Sequence, residues 1–291
     1  MMKVRKAVIP VAGFGTRFLP YTKSSPKEML PIVDTPTLQL LIEELSESGI
    51  EQVLLITGRN KHSIEDHFDD NIELFDNLKE NGNIELLEKM KKISKLCEIS
   101  YIRQKEMKGL GHAILKAKNF VQDEPFAMML GDELVFNKRT SAIKQVIDKF
   151  NQTNASIIGC KKVGRKDVDK YGIVEGKKLS DDLYKVIDME EKPSIESAKS
   201  DIAILGRHVL KPEIFSYLEN TKPGKNNEIQ LTDAMRDYAK DLDMYAFIFE
   251  GKRYDTGNKF GYMQAVVEYA LRDSEIGEEF KDYLKKLYFK L

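Results

Sequence analysis

Along this chain, short unbroken apolar runs alternate with longer stretches in which apolar residues return every three or four positions. The runs span residues 6–12, 52–57, 98–103, 126–130 and 156–160. Apolar runs of that length, bounded by turn or polar residues, read as buried strands. Between them, residues 38–48, 61–68, 110–120 and 141–150 carry the helical spacing. Consecutive parallel strands need a crossover rather than a tight turn, so this alternation predicts a mostly parallel sheet flanked by helices on both faces. Such sheets bind ligands beyond the carboxyl ends of their strands, which directs attention to the residues after each run.

Two stretches break the alternation. Residues 71–96 carry Phe75, Leu78, Leu86, Leu87, Met90 and Ile93 around Asn81-Gly82-Asn83, and predict a helical insertion over about 71–97. Residues 171–189 read as a hairpin, with Tyr171-Gly172-Ile173-Val174 and the segment 184–189 flanking a polar turn. Helical patterns over 259–271 and 277–287 close the chain. No repeat, low-complexity tract or linker divides it, so residues 1–291 are expected to form one domain.

Composition narrows the partners. Lys and Arg number 46 against 47 Asp and Glu, a net charge of -1, which supplies no field for a nucleic-acid polymer. Any polyanion must be held locally. Cys97 and Cys160 make no C-x-x-C motif and are expected to be reduced structural thiols. Lys3, Arg5 and Lys6 precede an apolar run, but Arg17 and Pro20 interrupt it before a signal peptide develops. No stretch approaches the ~20 apolar residues of a membrane helix, so a cytoplasmic protein is expected.

The densest chemical signal follows the first run: Gly13-Phe14-Gly15-Thr16-Arg17-Phe18-Leu19-Pro20. Glycines let backbone N–H groups approach a phosphate closely. A dinucleotide fingerprint needs a small residue where Phe18 stands, and no G-x-x-x-x-G-K-[ST] loop occurs, so dehydrogenase and P-loop readings lose their support. Arg17, Lys23 and Lys27 add cations within the same segment, which Lys27-Glu28-Met29-Leu30-Pro31 returns to apolar sequence.

With these residues in view, the chain resembles the sugar-1-phosphate nucleotidylyltransferases over nearly its whole length. The markers run from Ala12 to Pro20 and from Pro26 to Pro31, then through Arg103-Gln104 and Lys108-Gly109-Leu110-Gly111-His112-Ala113. Later come Gly131-Asp132, Tyr171-Gly172, Glu191-Lys192-Pro193, the stretch 223–230 and Tyr254-Asp255-Thr256-Gly257. The resemblance implies a Rossmann-like α/β fold of the GT-A-like nucleotidyltransferase type, with a small sugar-binding β subdomain. It also implies transfer of UMP from UTP to α-D-glucose 1-phosphate with Mg²⁺, giving UDP-glucose and pyrophosphate by direct in-line attack. The alternatives are a dTTP-using relative and a catalytically idle nucleotide-sugar sensor.

The same resemblance implies roles. Arg17 and Lys27 hold the triphosphate and stabilise the transition state, and Lys192 completes the catalytic set by binding the sugar phosphate. Ala12, Gly13 and Gly15 lie against the nucleotide, with Glu28 and Gln104 facing the uracil edge and Gly109 completing that pocket. Gly172 and Glu191 receive the glucose. Asp132 and Asp255 hold the metal, and no metal role is assigned to Glu133. His62 and His67, five residues apart, do not share a helix face, so zinc is not expected there. His112 is read as a support for the glycine loop. Apolar faces over 71–96 and 259–271 suggest homo-oligomerisation, and the resemblance implies a homodimer or homotetramer.

Overall fold

The computed structural model describes residues 3–224 and 227–288. Its strands, in chain order, are β1 (Lys6–Val11), β2 (Pro31–Ile32), β3 (Thr35–Pro36), β4 (Gln52–Thr57), β5 (Glu98–Arg103), β6 (Phe126–Met129) and β7 (Glu133–Phe136). They continue with β8 (Ser156–Lys162), β9 (Gly172–Lys178), β10 (Leu183–Glu191), β11 (Ile202–Leu210), β12 (Met244–Ile248) and β13 (Lys252–Asp255). All five apolar runs form strands, and the 171–189 segment forms the β9–β10 hairpin.

Nine strands make one sheet in the order β5-β4-β1-β6-β11-β8-β12-β10-β9. The first four are mutually parallel, with Lys6 opposite Gln52 and Phe126, and Gln52 opposite Glu98. β11 enters antiparallel between β6 and β8, so the sheet is parallel on the side of the glycine turn and mixed beyond it. β9 also meets β11 at Ala203–Ile173, which curls the far end back on itself. β7 and β13 form a separate antiparallel ribbon.

Side chains alternate across a strand, so both faces of the buried sheet carry apolar residues. Ile9 packs with Leu38, Leu41 and Leu45 of helix Thr37–Glu47 and Val146 of helix Ala142–Thr153. Val8 packs on the other face with Ile114, Phe215 and Met235. The latter two come from helices Ile214–Asn220 and Leu231–Asp241, which local periodicity did not single out. The 110–120 pattern divides into helices Leu110–Leu115 and Lys118–Val121. The 71–96 insertion is a helix pair, Ile72–Glu80 and Ile84–Ile93, joined where Gly82 adopts φ +70. Helices Lys259–Ala270 and Gly277–Tyr288 close the fold. Among the described residues no helix is long and apolar enough to cross a membrane.

Candidate active site

The turn after β1 is shaped by what a Cβ would strike. Gly15 has φ +65, and a Cβ there would lie 2.9 Å from Thr22 Cγ2 and 3.1 Å from Lys27 Cβ. Only glycine takes that backbone at no cost, and the Thr22 hydroxyl donates to the Gly15 carbonyl at 2.8 Å. The Lys27 side chain thus passes beneath the turn, its Cε 4.0 Å from the position of a Cβ on Gly13. Its ammonium reaches Asp132 Oδ2 at 2.6 Å. Arg17 Nη1 donates to the Gly257 carbonyl at 3.3 Å.

Asp132 stands just beyond β6 and Asp255 at the end of β13. A Cβ on Gly257 would lie 2.7 Å from Asp132 Oδ2 and 3.1 Å from Asp255 Oδ1, so both carboxylates converge on that glycine. Among the described residues no group of three or more metal-ligating side chains gathers. Two hard oxygen donors are what a magnesium ion carried on phosphates uses, its other ligands being phosphate oxygens and waters. The donor set fits that ion. Burial works against the Asp132 carboxylate, but Lys27, then Arg17 and Arg253, bring its pKa below the ordinary value. Burial also opposes the Lys27 charge, and Asp132 and Glu28 outweigh it, raising the ammonium's pKa.

Glu133 serves differently. It is 2% exposed, and its oxygens accept from the Gly206 N–H at 3.1 Å and Arg253 Nε at 2.7 Å. Arg253 also donates to the Tyr171 hydroxyl at 3.1 Å. Fully buried Arg207 pairs with Glu44 at 2.7 Å and donates to the Glu133 carbonyl at 3.0 Å. A buried ionic lattice therefore backs Asp132 and Asp255. Breaking such a pair from one side costs about 3–5 kcal/mol, so the backing is stiff.

On the other side of the turn, Glu28 is 1% exposed and receives the Lys61 ammonium at 2.6 Å. Gly58 comes so close to the first turn that a Cβ on it would lie 2.7 Å from the Ala12 carbonyl oxygen. Gln104 donates to the Gly109 carbonyl at 3.3 Å and meets His112 Nδ1 at 3.1 Å. Gly109 has φ +92, and backbone bonds from Ile229 N to Lys108 O and from Gly111 N to Ile229 O, both 2.8 Å, fasten its loop. His112 thus meets the Gln104 amide just past the end of β5, with Glu106 also acting on it. Of the stretch 223–230, Lys225 and Asn226 lie outside the described residues.

The hairpin supplies the opposite wall. Gly172 faces Glu191 in register, and a Cβ on it would sit 3.1 Å from Glu191 Oε2. That oxygen accepts the Thr232 hydroxyl at 2.7 Å. Lys192 occupies the left-handed region at φ 49, an unfavourable backbone for a residue with a Cβ, and its N–H donates to the Tyr171 carbonyl at 3.0 Å. Its ammonium lies 3.6 Å from Glu191 Oε1.

One cleft of about 470 Å³ is lined by Arg17, Asp132, Asp255, Gly172, Glu191 and Lys192. Lys27 adjoins it through Asp132, and Gly13 and Gly15 through Lys27. Ala12, Glu28, Gln104 and Gly109 stand outside its lining, around the neighbouring strand ends. The cleft floor includes His208, 2% exposed, whose Nδ1 meets no partner among the described residues. Burial pushes this imidazole down to about 3. Lys61, His208, Thr232 and Arg253 carry no local motif, and sequence reasoning missed them. His62 and His67 hold separate partners, Glu65 at 3.5 Å and Gln39 at 2.8 Å. Both cysteines are free and buried.

A mixed sheet whose first glycine turn, paired carboxylates and facing hairpin share one cleft defines a nucleotide-handling transferase, and the Nucleotidyl transferase family profile matches residues 6–271. The chain belongs to that family. It is 50% identical to the UTP–glucose-1-phosphate uridylyltransferase of Bacillus subtilis over 287 residues, 99% of this chain and 98% of that one. The solved structure of a UDP-glucose pyrophosphorylase complexed with UDP-glucose superposes with TM-score 0.84 at 44% identity, covering 93% of this chain and 100% of that chain. A UTP-bound UGPase from Acinetobacter baumannii gives TM-score 0.91 at 38% identity, covering 98% and 99%.

Proposed function

We propose that this chain is an enzyme that transfers UMP from UTP to α-D-glucose 1-phosphate, forming UDP-glucose and pyrophosphate. The observation that carries the reading is the convergence of Arg17, Asp132 and Asp255 with Glu191 and Lys192 in one cleft. Kinship with uridylyltransferases along the whole chain supplies the substrates. The sugar-phosphate oxygen attacks the α-phosphorus of UTP, and the bond to the departing pyrophosphate breaks on the opposite side. No covalent enzyme intermediate is needed, since the protein's work is positioning and charge neutralisation.

Arg17 and Lys27 neutralise the triphosphate and the charge that grows on the transferring phosphoryl group. Lys192 brings in the phosphate of the second substrate, and Glu191, aligned by Thr232, accepts from glucose hydroxyls beside the open backbone of Gly172. The backbone at Ala12, Gly13 and Gly15 lies along the nucleotide. Glu28 and Gln104 face the uracil edge, with Gly109 closing the pocket. Asp132 and Asp255 would hold Mg²⁺, which when bound screens the repulsion between the phosphates.

Two free, buried cysteines are consistent with a reducing cytoplasm. Ile72 and Ile84 on the helix pair, and Phe260 and Met263 near the end, are exposed apolar residues that support a homodimer or homotetramer. Pyrophosphate release from UTP, glucose 1-phosphate and Mg²⁺, run beside dTTP, tests the activity. Release with UTP at the higher kcat/KM is expected. Folded protein that releases none is a nucleotide-sugar sensor, and faster turnover of dTTP reassigns the base. Asp132→Asn should raise the magnesium concentration needed for half-maximal rate, and an unchanged titration removes Asp132 from the metal site.

A further inference from the structure

The pair Glu28–Lys61 is the least solvent-exposed side-chain ion pair beside the first turn, with the two side chains 1% and 7% exposed. Lys61 opens helix His62–Phe68 from the loop that follows β4, while Glu28 lies in the short turn Lys27–Met29 after the glycine loop. Only Oε2 of Glu28 is occupied by Lys61, at 2.6 Å; Oε1 takes no side-chain donor among the described residues. Lys61 therefore fixes one oxygen from behind, and the backbone N–H of Glu28 itself also bonds the carboxylate.

A carboxyl group at this depth tends to become neutral unless a cation stands against it. The charged side chains acting on it are Lys61 and its neighbour Lys27; burial raises its pKa above the ordinary carboxylate value, and Lys61, then Lys27, pull it back part of the way. Lys27 is already committed to Asp132. The counter-charge that belongs to Glu28 is thus Lys61. The distinction matters chemically. An ionised carboxylate only accepts, and suits a base whose ring nitrogen carries a hydrogen. A neutral carboxyl can donate, and suits a base whose ring nitrogen is a bare acceptor, as in cytosine.

We propose that Lys61 is a positioning and specificity-determining residue: by holding Glu28 in place and ionised, it makes the base pocket accept uracil and refuse cytosine. This rests on the reading that Glu28 faces the base. Lys61 touches no substrate itself.

The test compares kcat and KM for UTP and CTP in the wild type, Lys61→Met, Lys61→Arg, Glu28→Gln and the double variant Glu28→Gln/Lys61→Met. Lys61→Met should raise KM for UTP tenfold or more, by a larger factor than it lowers kcat. It should also narrow the UTP-over-CTP ratio of kcat/KM by at least tenfold, with KM for glucose 1-phosphate moving less than threefold. Lys61→Arg should restore most of the ratio. In the Glu28→Gln background, Lys61→Met should add no further change to the ratio, because its partner's charge is already gone. The double variant has no unpaired buried charge, and keeps the test open if Lys61→Met alone fails to fold. An unchanged UTP-over-CTP ratio in Lys61→Met, while Glu28→Gln shifts it, overturns the role of Lys61 alone. A ratio unmoved by Glu28→Gln overturns the base-facing reading of Glu28 and the inference with it. Equal losses for UTP, CTP and glucose 1-phosphate make Lys61 a scaffold residue and overturn the inference.

Discussion

At the end of the cleft that the proposed function gives to the triphosphate, Lys27 lies 2.6 Å from Asp132, with the two side chains 19% and 33% exposed. At the sugar end, Lys192 lies 3.6 Å from Glu191, and its side chain is 51% exposed. Behind the first pair stand Glu133, Arg253, Arg207 and Glu44, all tied to one another or to backbone. Behind the second, among the described residues, stand the Thr232 hydroxyl and the Tyr171 carbonyl that accepts the Lys192 N–H. An exposed ion pair contributes about 0–1 kcal/mol, so under the proposed assignment Lys192 would leave Glu191 at little cost when a phosphate arrives. The phosphate end cannot relax in that way. Groups that meet developing charge act best when they need no reorganisation at the moment of reaction, and a lattice of buried pairs supplies that rigidity. Under the proposed function, the end at Lys192 would instead admit one substrate and let a larger product leave.

The largest effect should come from the rigid end. Lys27→Met removes the ammonium from Asp132 and from the triphosphate, and should lower kcat about 10³-fold, the scale for losing a preorganised charge at a transition state. KM for glucose 1-phosphate should change far less. Steady-state rates of pyrophosphate release check it. A loss confined to KM would mean that Lys27 only binds, and the contrast between the ends would weaken.

Next comes the loose end. Lys192→Ala should raise KM for glucose 1-phosphate about 10- to 100-fold, the range for one charge-assisted hydrogen bond, while KM for UTP stays within about threefold. Equal losses for both substrates would place Lys192 on shared machinery and erase the division of labour.

How much of this was legible beforehand depended on how local the signal was. The glycines, Arg17 and Lys27 sit within one short stretch, and the apolar runs fixed the strands that carry Asp132 and Gln104 to their edge. The hairpin with Gly172 was equally local, although its second arm was read only to residue 189, two short of Glu191. The backing was not. Arg253 meets Glu133 across 120 positions, Arg207 meets Glu44 across 163, and Lys61 meets Glu28 across 33. Only the folded sheet brings them together. β11 escaped for a related reason: Gly206-Arg207-His208 interrupts its apolar run, and those polar side chains are satisfied or buried only by tertiary partners.

The smallest effect concerns the floor of the sugar end. His208 has its pKa pushed from an ordinary value near 6.5 to about 3. Well above pH 6.5 the imidazole is neutral in the folded and unfolded chains alike, and it makes no contribution to the pH dependence. Below that, the unfolded chain takes up a proton that the folded chain refuses, so stability falls as pH drops, down to about 3. Between pH 7 and pH 5.5 this group alone should remove about 1 kcal/mol. His208→Phe keeps a buried ring and deletes the titration, so urea unfolding should show a shallower acid loss than in the wild type by that amount. Groups other than His208 cancel in the difference. Divergent profiles would show that the sugar end, for all its exposed lysine, rests on a floor as dry as the lattice behind Asp132. Parallel profiles would show a wet floor, and the contrast between the two ends would then extend from their side chains down to the sheet.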